Sequence, residues 1–499
     1  MAQNTPNILV IMADQLAPQF MGTYGHGVVQ TPNIDALAAR GARFDAAYCN
    51  SPLCAPSRAS FMAGQHVSAI ETYDNAAEFP ASIPTFAHHL RAQGYRTCLS
   101  GKMHFVGPDQ LHGFEERLTT DIYPADHAWT PDWEDPLTRI HKWYHNMESV
   151  AEAGHAATTF QIEYDEETAF LARRRIFEYA MQGVAPFCMV ASFIHPHDPY
   201  VARPEFWELY DGVEIDLPEV GEVAEDPHSK RLRSGYMADQ VEVSDAALRH
   251  ARRAYFANVS YFDHNVGVLV RALEESGQLE NTLVVVTSDH GDMLGERGLW
   301  YKMSYFEHSV RVPLVMAGPG VKAGHRAAAP CSLIDLLPSF VELAGDEVEA
   351  PGRSLLAEAG GADGGEGEAI AEYFAECAAW PMYMIRRGRF KYIACKIDPP
   401  QLYDLEADPL ERCNLAAVPE YAEVAQQFAE EAARRWDCEA LHAGVIASQK
   451  RRRLVHAAME QGALTSWDYA PQRDFANEFV RNHQDWNDAV EKLRYPPAE

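Results

Sequence analysis

The sequence predicts an α/β protein in which a large α/β/α sandwich precedes a smaller C-terminal α+β domain. Two apolar runs of strand length, NILVIM at Asn7–Met12 and TLVVVT at Thr282–Thr287, are typical of strands covered by helices on both faces. Segments with helical spacing separate them, which favours a mainly parallel sheet with ligands at the carboxyl ends of its strands. The predicted helices are Asp35–Arg40, Ile83–Ala92, Glu167–Ala180 and Ala246–Leu273, and Phe187–Phe193 is a further predicted strand.

A change in composition marks the end of the large domain. The Gly-rich, acidic segment Ala357–Glu368 has no large apolar residue, which predicts a surface loop. Strand-like pieces around Arg386–Lys391, a turn-rich QLYDLEADP segment and a helix at about Pro419–Trp436 follow it. The predicted domains are 1–365 (large, catalytic), 366–445 (small, α+β) and 446–499, an extension too poor in apolar residues for its own core and expected to contact a neighbouring subunit.

Charge and cysteine usage restrict the class of protein. The 499 residues include 42 basic and 72 acidic side chains, a formal charge of -30, so we expect neither nucleic acid nor a membrane surface as a partner. The nine cysteines form no CxxC pairs of the metal-binding type, and the first apolar run is too short for a signal-peptide core. We therefore expect a reducing, cytoplasmic location.

Polar residues directly follow the two apolar strands. Asp14 and Gln15 come after the first strand, and Asp289 and His290 come after the second. A lone acidic residue in such a position is more often a turn former or helix cap, but the ends of two parallel strands can meet at one edge of a sheet. We therefore predict a divalent-metal site. Oxygen ligands suit calcium or magnesium, and an imidazole also suits manganese.

The segment Cys54-Ala55-Pro56-Ser57-Arg58, continued by Gly64, resembles the C-x-P-S-R maturation signature of the sulfatase family, within the alkaline phosphatase superfamily. The resemblance implies that a formylglycine-generating enzyme oxidises Cys54 to formylglycine. One hydroxyl of its hydrate would attack sulfur, and the other would expel the sulfate. The same residue would also contact the metal. From the residues alone, the alternative is an inert buried cysteine.

Three further segments resemble sulfatase motifs in the same order. They are G-K-x-H at Gly101–His104, P-H-x-P at Pro196–Pro199 and K-x-x-x-x-E-x-x-x-R-x-P from Lys302 through Glu307 and Arg311 to Pro313. The isolated alternatives are solvated lysines and structural histidines. The resemblance implies that Lys102, His104 and Arg58 contact the sulfate and the diol. It also implies that His197 and Lys302 hold or protonate the departing oxygen.

Other segments resemble the choline sulfatase branch of the family: Tyr73–Glu78, Val106–Pro131, Trp143–Asn146 and Glu372–Glu376. This resemblance implies choline O-sulfate as the substrate. A quaternary ammonium has no N–H, so an aromatic face and a carboxylate recognise it best. Trp129 is the candidate face, although from the residues alone it is a packing aromatic, and Glu376 is the candidate carboxylate. The other candidate pocket residues are Asn75, His145 and Asn146.

Two departures from the common sulfatase pattern keep alternatives open. Asp14-Gln15 and Asp289-His290 replace the more frequent Asp-Asp and Asp-Asn, a pattern of the choline sulfatase and phosphonate monoester hydrolase branch. Calcium is the favoured metal, with magnesium or manganese as alternatives. Ser57 stands where choline sulfatases can carry alanine. The rival functions are a phosphonate monoester or phosphodiester hydrolase and a choline-binding protein without catalysis.

The C-terminal residues bear on assembly. Arg494-Tyr495-Pro496 resembles the family's tail, which covers the pocket of a neighbouring subunit. The resemblance therefore implies a homodimer or homotetramer.

Overall fold

A mainly parallel sheet forms the centre of the computed structural model, which describes residues 5–136, 145–221, 226–238, 240–473, 478, 485–492 and 494–496. Among these residues the sheet has eight strands. All adjacent pairs are parallel except those of Leu314–Ala317, which is antiparallel to both neighbours. The spatial order is His325–Ala327, Ala42–Phe44, Leu314–Ala317, Thr282–Ser288, Asn7–Asp14, Phe187–Pro196, Arg96–Gly101 and Glu116–Arg117.

The four middle strands explain the apolar runs of the sequence. Every residue of Asn7–Asp14, Thr282–Ser288 and Phe187–Pro196 is buried. Successive side chains of a strand point to opposite faces, so burial of all of them requires cover on both faces. With Arg96–Gly101 these strands form a continuous parallel set, and all four carboxyl ends therefore lie at one edge. The predicted α/β class is confirmed.

Two long helices, Phe160–Gln182 and Asp245–Glu275, pack on the strand Phe187–Pro196. Each begins where a hydroxyl side chain, Thr159 or Ser244, accepts a hydrogen bond from a backbone N–H of the first turn. The other α-helices are Pro32–Arg40, Cys54–Ala63, Val67–Ile70, Phe86–Ala92, Glu148–Ala151, Pro204–Trp207, Pro227–Gly235, Glu307–Val310, Leu336–Leu343, Leu356–Ala359, Ala422–Arg435, Cys438–Met459 and Trp486–Lys492.

A second, antiparallel sheet follows the Gly-rich segment. Its strands, in both chain and spatial order, are Glu368–Tyr373, Met382–Arg387, Phe390–Cys395 and Gln401–Asp404. The helix Ala422–Arg435 packs on the third strand, which confirms a small α+β unit. The turn prediction for QLYDLEADP was wrong for its first four residues, because they are buried and pair with Phe390–Cys395 as an edge strand.

Three further short strands, Ala47–Tyr48, Arg311–Val312 and Cys331–Ser332, form a sheet of their own, and Gly154–His155 pairs with Val201–Ala202. All nine cysteines fall within the described ranges, and none of them forms a disulfide there. No helix in the described ranges is long and apolar enough to span a membrane.

A buried lysine joins the small sheet to the large domain. Lys391 Nζ donates to Glu307 Oε1 at 3.0 Å and to the Tyr305 carbonyl oxygen at 2.7 Å, and it forms an ion pair with Glu411 Oε1 at 2.5 Å. Lys391 is fully buried, and the two carboxylates are almost so. Glu307, which belongs to the K-x-x-x-x-E-x-x-x-R-x-P match, therefore contacts the small sheet here.

Replacing Lys391 with methionine is expected to lower the free energy of unfolding by about 3–5 kcal/mol, because it leaves two buried carboxylates without their cation. Denaturant titration measures the change. Lys396→Met is the matched control, since the Lys396 side chain is 46% exposed and its pairing with Glu439 lies at the surface. We expect this control to cost at most about 1 kcal/mol. Equal losses in the two variants would contradict the assigned role of Lys391.

Candidate active site

The candidate residues meet at the carboxyl edge of the four parallel strands. Asp14 ends the strand Asn7–Asp14, and Asp289 follows Thr282–Ser288. Lys102 follows Arg96–Gly101, and His197 follows Phe187–Pro196. Open α/β sheets bind ligands at this edge, so the topology brings together residues that are far apart in the chain.

Four fully buried side chains form a metal-sized cluster. Asp14 Oδ1 lies 3.6 Å from His290 Nε2 and 3.7 Å from Cys54 Sγ. His290 Nε2 lies 3.2 Å from Cys54 Sγ and 3.7 Å from Asp289 Oδ2. One donor atom from each of the four residues falls within 4.8 Å of the others. Two carboxylates and an imidazole converging in a buried space suit a divalent cation.

Gln15, the fifth predicted ligand, lies beside this cluster. Its Oε1 accepts a hydrogen bond from Lys302 Nζ at 2.6 Å. Its Nε2 donates to Asp292 Oδ2 at 2.7 Å and to Asp198 Oδ1 at 3.3 Å. The two carboxylates therefore fix the orientation of the amide and turn its oxygen away from them. Gln15 as a metal ligand stays a prediction.

Arg58 connects all four strand ends. Its Nε donates to Asp289 Oδ2 at 2.7 Å, and Nη2 lies 3.5 Å from Asp14 Oδ2. Nη1 donates to the Lys102 carbonyl oxygen at 2.6 Å and to Ser192 Oγ at 2.8 Å. The arginine is fully buried, so these partners replace its hydration. Arg58 thus holds the carboxylates rather than pointing to solvent.

Asp14 also forms a buried ion pair with Lys102. Burial alone would raise the pKa of Asp14, but Lys102, and after it His197 and Arg58, hold that pKa well below its ordinary value. Asp14 is therefore ionised, as a metal ligand has to be.

Gly101 allows the chain to turn toward Asp14 at this point. Its φ is 101°, and a Cβ at this position would lie 1.9 Å from the Ser192 carbonyl oxygen. The glycine of the G-K-x-H motif is therefore required by close strand packing.

Cys54 is the first residue of the helix Cys54–Ala63, whose residues are all buried. The N-terminus of a helix carries a partial positive charge that favours an anion, and here the Ala55 and Ser57 N–H groups of the first turn are paired with Asn75 Oδ1 and the Leu53 carbonyl oxygen. Ser57 Oγ donates to the Asp289 carbonyl oxygen at 2.6 Å, which joins the helix to the end of the strand Thr282–Ser288. Gly64 ends the helix with φ 61°, and a Cβ there would lie 2.8 Å from Leu337 Cβ. The signature's serine and glycine thus place the helix.

His197 and Lys302 face the cluster from its other side. Lys302 Nζ lies 2.8 Å from His197 Nε2, and both residues are fully buried. His197 Nδ1 lies 2.6 Å from the Asp198 carbonyl oxygen, so Nδ1 carries the proton and Nε2 accepts from Lys302. His145 Nδ1 lies 3.4 Å from Asp198 Oδ2, and its ring is tilted against that of Tyr301 with centroids 4.6 Å apart. His145 thus lies beside His197, with ring centroids 5.7 Å apart, and its role in binding substrate stays a prediction.

The other histidine of the HPHDP segment has a structural role. His195 Nδ1 lies 2.7 Å from Asp165 Oδ2 on the helix Phe160–Gln182. This pairing directs the ring of His195 to the helix, and the matched residue His197 points to the site. Asp198, which the sequence did not single out, positions Gln15, His145 and His197 together.

His104 and Trp129 line an aromatic wall with Tyr123. His104 lies 5.9 Å from Trp129 and 5.2 Å from Tyr123 between ring centroids, and Lys102 Nζ lies 4.3 Å from the Tyr123 ring centroid. The segment from Lys102 to His104 is not an extended strand, because His104 has φ 54°. Burial, and after it Lys102, lowers the pKa of His104 to about 3, so its ring is neutral. Within the described residues neither ring nitrogen of His104 has a hydrogen-bond partner.

Tyr123 is a site residue that the sequence did not indicate. Its ring also lies 6.0 Å from that of His197, so it touches both sides of the pocket. It occurs in a segment without hydrophobic periodicity, and only the folded position of its loop, in the aromatic wall, identifies it.

The predicted substrate residues divide into two groups. Glu376 is buried, and in the described part of the chain its Oε2 has no hydrogen-bond partner. Asn75 Oδ1 instead accepts a hydrogen bond from the Ala55 N–H at 3.0 Å, so it supports the Cys54 helix. Asn146 Oδ1 accepts from the Glu148 N–H at 2.8 Å and caps a short helix. Glu376 is thus the candidate most available to a ligand.

Comparisons with known proteins place this geometry in a class. The family model "Sulfatase" matches residues 6–346, "N-sulphoglucosamine sulphohydrolase, C-terminal" matches 295–436, and "Choline sulfatase enzyme C terminal" matches 443–495. The chain belongs to the sulfatase family, and with it to the sulfuric ester hydrolases. It is 48% identical to the choline-sulfatase of Rhizobium meliloti over 100% of both chains. It is also 29% identical to the N-acetylglucosamine-6-O-sulfatase of Bacteroides thetaiotaomicron, over 84% of each.

Solved structures share the fold. The phosphonate monoester hydrolase of Agrobacterium radiobacter matches with a TM-score of 0.68 and 24% identity, covering 88% of this chain and 96% of its own. The phosphonate monoester hydrolase of Silicibacter pomeroyi matches with a TM-score of 0.69 and 24% identity, covering 86% and 95%. These likenesses concern the fold alone.

Proposed function

We propose that the chain hydrolyses choline O-sulfate to choline and sulfate. The observation that carries this proposal is a buried carboxylate, Glu376, beside a sulfatase cluster. Lys302 is near enough to Glu376 for its charge to act on the pKa of that carboxyl. A quaternary ammonium would compensate the charge of Glu376 without donating a hydrogen bond, and the aromatic wall of Tyr123 and Trp129 offers π-faces for the same cation. The 48% identity to a choline-sulfatase supports this substrate.

Two groups complete the proposed site. Asp14, Asp289, His290 and Gln15, together with position 54, would hold one divalent cation, for which calcium is our first choice and magnesium or manganese the alternatives. The cation would offset negative charge on the sulfuryl oxygens. Formylglycine made from Cys54 would supply, as its hydrate, one hydroxyl to bond sulfur and a second to release it.

The protein's own side chains do the remaining work. Lys102 and Arg58 lie beside Asp14 and offset the negative charge that gathers there. His104 is neutral and accepts a proton when sulfate is released. Lys302 donates a proton to the departing choline oxygen, and His197 Nε2 holds the Lys302 ammonium in place. Burial of the whole set excludes bulk water from these charges.

Substrate comparison tests the proposal. Sulfate release from choline O-sulfate is measured beside hydrolysis of an aryl phosphonate monoester. Choline O-sulfate is expected to give the higher kcat/KM. A higher value for the phosphonate would favour the phosphonate monoester hydrolase, and binding without turnover of either would favour a choline-binding protein.

Above about pH 8, where the carboxyl of Glu376 is charged, Glu376→Gln is expected to raise KM for choline O-sulfate roughly 10- to 100-fold, because the ammonium loses its carboxylate in a desolvated pocket. The matched substrate is 3,3-dimethylbutyl sulfate, in which carbon replaces the ammonium nitrogen. KM for this neutral ester should not increase in the variant. A parallel increase for both esters would refute the assigned role of Glu376.

The pH dependence follows from the same carboxyl. Burial, and after it the charge of Asp74, raises the pKa of Glu376 to about 8. The group is therefore neutral below that pH and gains its charge as the pH rises through it, so kcat/KM for choline O-sulfate should increase between about pH 7 and 9. Glu376→Gln should abolish this increase. An unaltered profile in the variant would assign the titration to another group.

The remaining proposals concern the cellular setting. We retain the formylglycine-generating enzyme as a partner, the cytoplasm as the location and a homodimer or homotetramer as the assembly. Tyr495 of the tail donates its hydroxyl to the Ser276 carbonyl oxygen at 2.7 Å, and its ring lies 5.7 Å from Phe177 of the same chain. Light scattering of the intact protein and of a chain shortened after Trp486 would test the tail's part in assembly.

A further inference from the structure

One helix of the C-terminal region supports the loops around the substrate pocket. Val445, Ser448, Gln449 and Arg452 are the buried residues of Cys438–Met459. Their spacing of three and four residues places them on one face. Three of the four are polar, so this face is suited to hydrogen bonding rather than to apolar packing.

Arg452 binds two pocket loops at once. Its Nη1 and Nη2 donate to Asp74 Oδ1 at 2.7 Å and Oδ2 at 2.6 Å, a bidentate pair. Nη1 also donates to Thr130 Oγ1 at 3.1 Å. Asp74 is fully buried and precedes Asn75, and Thr130 follows Trp129. The arginine therefore lies directly behind two of the predicted pocket residues.

Gln449, one turn earlier, reaches the third loop. Its Oε1 accepts from the Trp133 N–H at 2.9 Å, and the Trp133 indole donates to the Ala375 carbonyl oxygen at 3.0 Å. Ala375 precedes Glu376. The helix face thus supports the segments that carry Asn75 and Trp129 directly, and it reaches the segment that carries Glu376 through Trp133.

We propose that Arg452 is a positioning residue for recognition of the substrate's cationic group. It acts through Asp74 and Thr130, not by touching the substrate. The bidentate fork holds the Asp74 turn against the Trp129 loop, and Gln449 on the same face links this loop through Trp133 to the segment that carries Glu376. Together these bonds set the distance between the aromatic face and the carboxylate. This inference rests on the proposed function and adds to it the residue that sets the geometry of the cation subsite.

Arg452 also affects the charge of the subsite. The charge of Asp74 raises the pKa of Glu376, and the charges of Lys302 and Arg452 lower it. Tyr373, on the same segment as Glu376, is a further titratable group that interacts with this carboxyl. Asp74 has the larger effect of the two paired residues. Loss of Arg452 alone should therefore raise the pKa of Glu376, whereas loss of both charges should lower it.

The test compares choline O-sulfate with 3,3-dimethylbutyl sulfate, its neutral isostere. The ratio of their kcat/KM values measures recognition of the cation, since both esters release an alkoxide. Arg452→Gln is expected to reduce this ratio at least tenfold, and Arg452→Lys, which retains the charge without the fork, by an intermediate factor. Lys450→Gln is the matched control, since the Lys450 side chain is 54% exposed and lies on the same helix.

A double variant keeps the proposal testable if the unpaired Asp74 prevents folding. The double variant Asp74→Asn with Arg452→Gln removes both charges of this buried pair and should also reduce the ratio. The pH at which kcat/KM rises should be higher in Arg452→Gln than in the unaltered enzyme, and lower in the double variant. Equal losses on both esters, or a ratio that stays constant or increases, would overturn the proposal. A wild-type enzyme that does not cleave choline O-sulfate would instead overturn the proposed function.

Discussion

Replacing Cys54 with alanine is expected to reduce sulfate release by a factor of about 10⁴ or more, because the nucleophile is then absent. Cys54 is fully buried at the start of its helix, and its Sγ lies 3.2 Å from His290 Nε2. Alanine is smaller than cysteine and suits a helix start, so the fold should persist. Sulfate release from choline O-sulfate measures the loss, and thermal unfolding confirms the fold.

Cys413→Ala is the matched control, since Cys413 is exposed and should leave activity intact. The mass of the peptide containing residue 54 provides a second readout. It should show an aldehyde in place of the thiol in active protein. Active protein holding only the thiol would refute the proposed nucleophile, whatever the result for the alanine variant.

Lys302→Met is expected to lower kcat for choline O-sulfate about 10²- to 10⁴-fold, because the departing alkoxide loses its proton donor. Lys302 is fully buried and contacts both Gln15 and His197, so methionine fills its volume without its charge. The loss should be much smaller for 4-nitrophenyl sulfate, whose leaving group needs no proton. Steady-state rates on the two esters measure the difference.

The control for Lys302 is Lys322→Met, a change at an exposed lysine outside the site. Its rates should match those of the unaltered enzyme on both esters. Losses of equal size on choline O-sulfate and 4-nitrophenyl sulfate in Lys302→Met would show that the lysine supports the fold of the site and is not a proton donor.

The strands next to Asp14 and Asp289 could be predicted from the sequence because all of their residues are buried. Ile8–Ala13 and Leu283–Val286 contain only apolar residues, so the polar residues that follow them, Asp14 and Asp289 among these, stand out. The positions of the predicted helices were also confirmed. Their ends differ by several residues where a capping residue determines the first turn. The prediction at Glu167–Ala180, for example, lies inside Phe160–Gln182, which starts after the Thr159 cap.

Other parts of the site gave no periodic signal. The helix Cys54–Ala63 has every residue buried, so no polar face alternates with an apolar one. Tyr123 and Asp198 act through partners from distant segments, which one sequence does not connect. The helix Cys438–Met459 contacts the pocket loops through polar residues, and it spans the predicted boundary at residue 445. In this helix, the low content of apolar residues that predicted an extension without its own core reflects a face that makes polar contacts.

The burial of the whole Cys54–Ala63 helix sets an order of events in biogenesis. The proposed function requires an enzyme to oxidise Cys54, yet this side chain is fully buried and Arg58 of the same helix ties the helix to the strand ends. Oxidation would therefore have to precede folding of this segment, during or soon after synthesis. A chain that folds first would keep its thiol, so the yield of active enzyme would depend on the relative rates of oxidation and folding.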